Sequence, residues 1–131
     1  MSELGGRSGA YSTRLVAAVL ATPGATTEQL RRAVVVRAAR SSAPGPLSPA
    51  LSPALAAYVD KVARHAHRVS DDDVAALQRA GHSDDALFEL TVSAALGAAL
   101  GRLERGLRAL RGESSPNVPL AAIEWSGATQ D

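Results

Sequence analysis

The chain has no cysteine, and its 131 residues include one phenylalanine, one tryptophan, two tyrosines and one methionine. Without cysteine there is no disulfide, no thiol redox chemistry and no thiolate metal ligand, and neither redox compartment is marked. So few rings exclude a thick aromatic core and the interleaved aromatics that stack nucleic-acid bases. Neither sign of charge is in excess: 14 Lys and Arg face 13 Asp and Glu, a formal balance of +1. That removes any global electrostatic drive toward nucleic acid or an anionic membrane. The apolar run LVAAVLA is too short to span a bilayer and no small-residue cleavage site follows it, so a cytoplasmic protein is expected. A P-loop, a dinucleotide glycine fingerprint and a serine elbow are also missing.

What is present is alanine and leucine, spaced for helices that pack closely through small side chains. The length suits one compact domain spanning 1–131. Residues 1–12 are rich in glycine and serine and are expected to be flexible. A short helix from Thr13 to Ala21 places Leu15, Val16, Val19 and Leu20 for burial, and Pro23-Gly24 stops it. Thr26 or Thr27 caps a second helix with Leu30, Val34 and Val35 on its apolar face. The stretch 41–53 holds four prolines, so it reads as an extended connector, with Leu47 and Leu51 suited to strapping it onto the helices.

A third helix follows in PALAAYVDKVARHAH, where Leu55, Val59, Val62 and Ala66 share a face. Ser70 followed by Asp71, Asp72 and Asp73 is a helix start, with Ser70 as cap and Asp73 at the position that reaches back. The same three aspartates lack the alternation, central glycine and terminal glutamate of a calcium loop. Ser83, Asp84 and Asp85 repeat this grammar and open a helix of about 28 residues, roughly 40 Å long. The tail 112–131 loses the helical period, and Leu120, Ile123 and Trp125 within it suit an apolar clip. The fold class is therefore all-α, with about five helices.

In the long helix Leu96, Leu100, Leu103, Leu107 and Leu110 recur at three and four, and Gly97 and Gly101 admit a close backbone neighbour. A seam of this length exceeds what a small monomer covers, which points to an oligomer interface through Leu96, Gly97, Leu100, Gly101, Leu103 and Leu107. Arg102, Arg105, Arg108 and Arg111 form a stripe suited to a small acidic ligand or a protein partner, or simply to a solvated helix face.

Glu89 sits one turn into this helix beside Phe88 and Leu90. Burial there would raise its pKa and suit proton transfer, while a rim carboxylate paired with arginine is the plainer reading. His65, His67 and His82 are the candidate partners. His65 and His67, two apart on a helix, point about 200° from one another and cannot readily share one ion. No metal site and no cofactor is expected.

From Tyr58 through Leu110 the order of a SDDDVAAL helix, a G-x-S-D turn and an E-L helix resembles the carboxymuconolactone decarboxylase and alkylhydroperoxidase-D-like superfamily. The resemblance implies an all-α homo-oligomer. It also implies chemistry by a CxxC pair aided by Glu and His, or by histidine-centred acid–base work on a lactone acid. The positions after Glu89, SAALGAALGRLE, hold no cysteine, so a non-redox member with a binding or structural role is expected. The alternative is a cofactorless acid–base enzyme on a small oxo-acid or lactone. Glu89 in ELT and Arg102 in GRL are the two residues whose local context matches.

Overall fold

A computed structural model describes residues 2–40 and 48–112. Five α-helices follow in order: α1 (Ser2–Ala21), α2 (Glu28–Ala39), α3 (Pro53–His65), α4 (Asp71–Arg79) and α5 (Asp84–Leu110). A short 3₁₀ turn, Ala66–Arg68, follows α3. There is no strand among the described residues, so the chain is an all-α bundle.

Four helix starts are set by hydroxyl caps. Thr27, Ser52, Ser70 and Ser83 each accept from the backbone N–H three residues on, satisfying one orphan donor of the first turn. Ser70 and Asp73 complete a reciprocal capping box. Pro53 opens α3, where its missing N–H costs nothing.

α5 is the spine and packs chiefly on α2, and next on α3. Backbone meets backbone at the α2–α5 crossing. A methyl at Gly97 would stand 2.3 Å from the Val35 carbonyl oxygen, and one at Gly101 would stand 2.5 Å from that of Ala39. The two glycines thus serve a crossing within one chain. Leu96 and Leu100, expected at an oligomer interface, are buried with them against Val35, Ala39, Val16 and Leu20. The reason is that α2 already occupies this face, so the intersubunit assignment of these four residues is corrected to an intrachain one.

A second apolar cluster joins Val34 and Ala38 of α2 to Leu55, Val59 and Val62 of α3, Leu77 of α4, and Leu87, Leu90 and Ala94 of α5. Leu51 is buried in it, so the end of the proline-rich connector does strap onto the helices, while Leu47 lies outside the described residues. Leu120, Ile123 and Trp125 lie outside them too. Polar bonds tie the layers: Arg37 grips Asp60 through two bonds of 2.9 and 2.8 Å, and the Tyr58 hydroxyl meets that of Thr91 at 2.8 Å.

Two boundaries differ from expectation. α1 begins at Ser2, not Thr13, despite three glycines. Its far half docks through Val16 and Leu20, and extending an existing helix needs no new nucleus. Leu15 is exposed, because the docked face of α1 is narrower than its apolar content. α3 stops at His65, leaving Ala66 exposed in the 3₁₀ turn.

Gly97→Ala and Gly101→Ala should each destabilise the protein by about 1–3 kcal/mol in urea titration, because the clash is with backbone that cannot swing aside. Gly106, with nothing near its missing methyl, should gain up to about 1 kcal/mol as alanine.

Candidate functional site

The loop between α1 and α2 has to place its own polar backbone and the last carbonyls of α1, which lack partners four residues on. Arg31, one turn into α2, turns back to meet them. Its Nε donates to the Val19 carbonyl at 3.1 Å, and its Nη2 to those of Leu20 and Thr22 at 2.7 and 2.8 Å. Nη1 donates to the Thr26 carbonyl and, at 3.0 Å, to the Thr26 hydroxyl. All five donors of the guanidinium are thereby directed at acceptors, which is what permits Arg31 to be only 4% exposed. The Thr22 hydroxyl donates to the carbonyl of Ala18, at 2.5 Å.

Glu89 serves the donors of the same loop. Its Oε2 accepts from the Ala25 N–H at 2.6 Å, and its Oε1 from the Thr26 N–H at 2.9 Å and the Thr26 hydroxyl at 2.5 Å. Arg31 Nη1 stands 3.6 Å from Oε1 and supplies the countercharge. Gly24 makes room, since a methyl there would lie 2.3 Å from Oε2. The Thr26 hydroxyl hydrogen bond, then the Ala25 and Thr26 N–H groups and the Arg31 charge, hold the Glu89 carboxyl below the ordinary glutamate range. This is opposite to the shift expected of a buried proton shuttle. Donors outweigh desolvation because the carboxylate is at the rim, with Phe88 beside it 70% exposed.

The histidines do not join it. His65 and His67 are exposed at the end of α3, their rings edge to face at 6.2 Å, and His82 lies in the α4–α5 corner. None hydrogen-bonds to Glu89, whose partners are Ala25, Thr26 and Arg31. Among the described residues no three His, Asp or Glu side chains are grouped to hold a metal ion.

Arg102 and Arg105 also face carbonyls. Arg102 Nη2 donates to Ala63 at 2.6 Å in the last turn of α3, and Arg105 Nη1 to Ala39, the last residue of α2, at 3.5 Å. Together with Arg31 they cap the C-termini of three helices, where cations are favoured by the dipole. Leu103 is 42% exposed and Leu107 half-buried.

Two surface depressions among the described residues border charged side chains. One, of about 130 Å³, lies beside Glu89 between Val19, Pro23, Phe88 and Val92. The other, of about 220 Å³, lies between α3 and α4, and is floored by alanines, with Tyr58 and the Lys61–Asp73 ion pair, 2.9 Å, at its side. The Lys61 hydrogen bond and the Ser70 N–H hold the Asp73 carboxyl below its usual range. Neither depression brings a nucleophile to a base. No family model, no curated protein and no solved structure matches the chain.

Sequence reasoning found Glu89 but not Arg31 or Thr26. A signal existed for Arg31, which precedes Val34 and Val35 by three and four and so shares their buried face.

Arg31→Ala should destabilise by about 3–5 kcal/mol, because it strands the α1 carbonyls and the Glu89 charge together. Arg31→Lys should recover only part of this, since an ammonium cannot fork to five acceptors. Glu89→Gln should cost about 1.5–3 kcal/mol at neutral pH. A carboxyl held low in the fold adds stability above its ordinary value of about 4.3, and that stability is lost as pH falls through the depressed value. Acid unfolding of Glu89→Gln should accordingly show a shallower loss below about pH 4 than the parent chain.

Proposed function

We propose that the protein is a non-redox, homo-oligomeric helical component of the alkylhydroperoxidase-D-like kind, binding or structural in role and working without a cofactor. The observation that supports this is the state of Glu89. Its two oxygens are taken by the donors of residues 25 and 26 and its carboxyl is held ionised. A general acid needs the opposite environment, and a carboxylate whose pKa is lowered is a weaker proton acceptor. Arg102 and Arg105, the other polar candidates, are engaged with helix-end carbonyls. Among the described residues, Phe88, Val92, Leu103 and Leu110 of α5 stand exposed, which suits a binding or structural role. α5 is also long and apolar enough to cross a membrane by length and composition, but half of that stretch is buried inside the bundle.

Two measurements on the full chain test this reading. Sedimentation velocity at micromolar concentration should give a mass that is a multiple of 13.4 kDa. Assays over a panel of small oxo-acids and lactones should show no turnover above buffer. A monomer at every concentration would overturn the oligomeric role, and a turnover abolished by Glu89→Gln would overturn the non-catalytic one.

A further inference from the structure

We infer that His65 and His67 form a two-imidazole site, at the end of α3, for a divalent metal ion of the zinc, nickel and copper kind. The pair is separate from Glu89 and stands independently of the reading above.

On a continuous helix two such residues point about 200° from one another and offer an ion no common side. α3 does not continue. His65 is its last residue, and a φ of −140° with a ψ of 53° takes that residue out of helical geometry. Ala66, His67 and Arg68 then make the 3₁₀ turn, after which the Val69 N–H donates to the Ala66 carbonyl at 3.2 Å. The break brings the two rings together, their centroids 6.2 Å apart and their planes crossed at 82°.

The backbone is anchored on both sides of the pair. Before it, Val62 and Ala63 are buried, and Arg102 Nη2 donates to the Ala63 carbonyl at 2.6 Å. After it, Val69 packs against the same apolar cluster. Both histidines are exposed, so their rings turn about side-chain torsions without disturbing the core. An ion about 2.0–2.1 Å from one nitrogen of each ring sets the centroids about 5 Å apart at a tetrahedral angle, and about 6 Å apart as that angle opens toward linear. The spacing in the fold is at the wide end, and a ring movement of about 1 Å closes the tetrahedral arrangement.

Ligand type selects the ion. Imidazole nitrogen suits Zn²⁺, Ni²⁺ and Cu²⁺, whereas Mg²⁺ and Ca²⁺ take oxygen ligands. The position also favours a cation, because the last carbonyls of α3 form the negative end of its dipole. Arg64 and Arg68 flank the pair and oppose the ion, but both are exposed and screened by water and salt. Lys61, a turn earlier, has its charge matched by Asp73 at 2.9 Å. Asp71 and Asp72, which open α4 just beyond Arg68, offset the two arginines. With two protein ligands the other coordination positions go to water, so the ion is exchangeable.

Titration of the full chain with zinc chloride at neutral pH, followed on the imidazole nitrogens by NMR, tests the site. His65 and His67 should shift together on one isotherm at one ion per chain, while His82 in the α4–α5 corner stays unmoved. Magnesium chloride should shift none of them. Chelation makes the second metal bond intramolecular, so His65→Ala and His67→Ala should each weaken zinc binding roughly tenfold or more. Both positions are exposed, so these variants keep the fold. Equal weak shifts at all three histidines, or a single-alanine variant that binds as tightly as the parent, would overturn the site. An apparent affinity that rises with protein concentration would overturn it too, because the ion would then be joining two chains.

Discussion

The close crossing of α2 and α5 is the constraint on which the rest of the structure depends. Gly97 and Gly101 bring α5 onto the carbonyls of Val35 and Ala39, and no residue with a β-carbon fits there without moving a backbone. The same approach creates the two grooves that take the other helices, α3 with Leu55, Val59 and Val62 on one side and α1 with Val16 and Leu20 on the other. It also carries Glu89, two turns before Gly97, up to the loop that leads into α2.

Helices held so tightly end near one another, and their terminal carbonyls need donors that are not water. Arginine meets this need in three places, with Arg31, Arg102 and Arg105 each reaching across to the end of a different helix. Burying Arg31 requires a countercharge, and Glu89 supplies it while collecting the loop's N–H groups. A carboxylate in such a position is a fastener. The Thr26 hydroxyl, bonded to both side chains, makes the three residues one unit whose parts lose their purpose singly.

Much of the fold was legible in the sequence because its punctuation is local. Ser70, Ser83 and Thr27 announce helix starts by chemistry that acts over three residues, and the leucine period of α5 gives its length. The candidate site was less legible because its partners are distant. Glu89 stood out, and the plainer of its two readings, a rim carboxylate beside an arginine, is the arrangement found, but nothing near residue 89 names Thr26 or Arg31, more than fifty residues away, as the donors that lower its pKa. Gly97 and Gly101 were correctly read as a close approach, yet a glycine pair does not say whose backbone approaches. The neighbour is α2 of the same chain. Arg31 and Arg32 are adjacent and chemically identical, and only the buried face shared with Val34 and Val35 separates them.

The sharpest single measurement is the titration of the Glu89 side-chain carboxyl by carbon-detected NMR in the folded protein. A midpoint below that of a free glutamate is expected, together with loss of the hydrogen-bonded shifts of the Ala25 and Thr26 amides as the group protonates. A midpoint raised toward neutrality, with those amides indifferent to it, would contradict the fastening role and return Glu89 to acid–base chemistry.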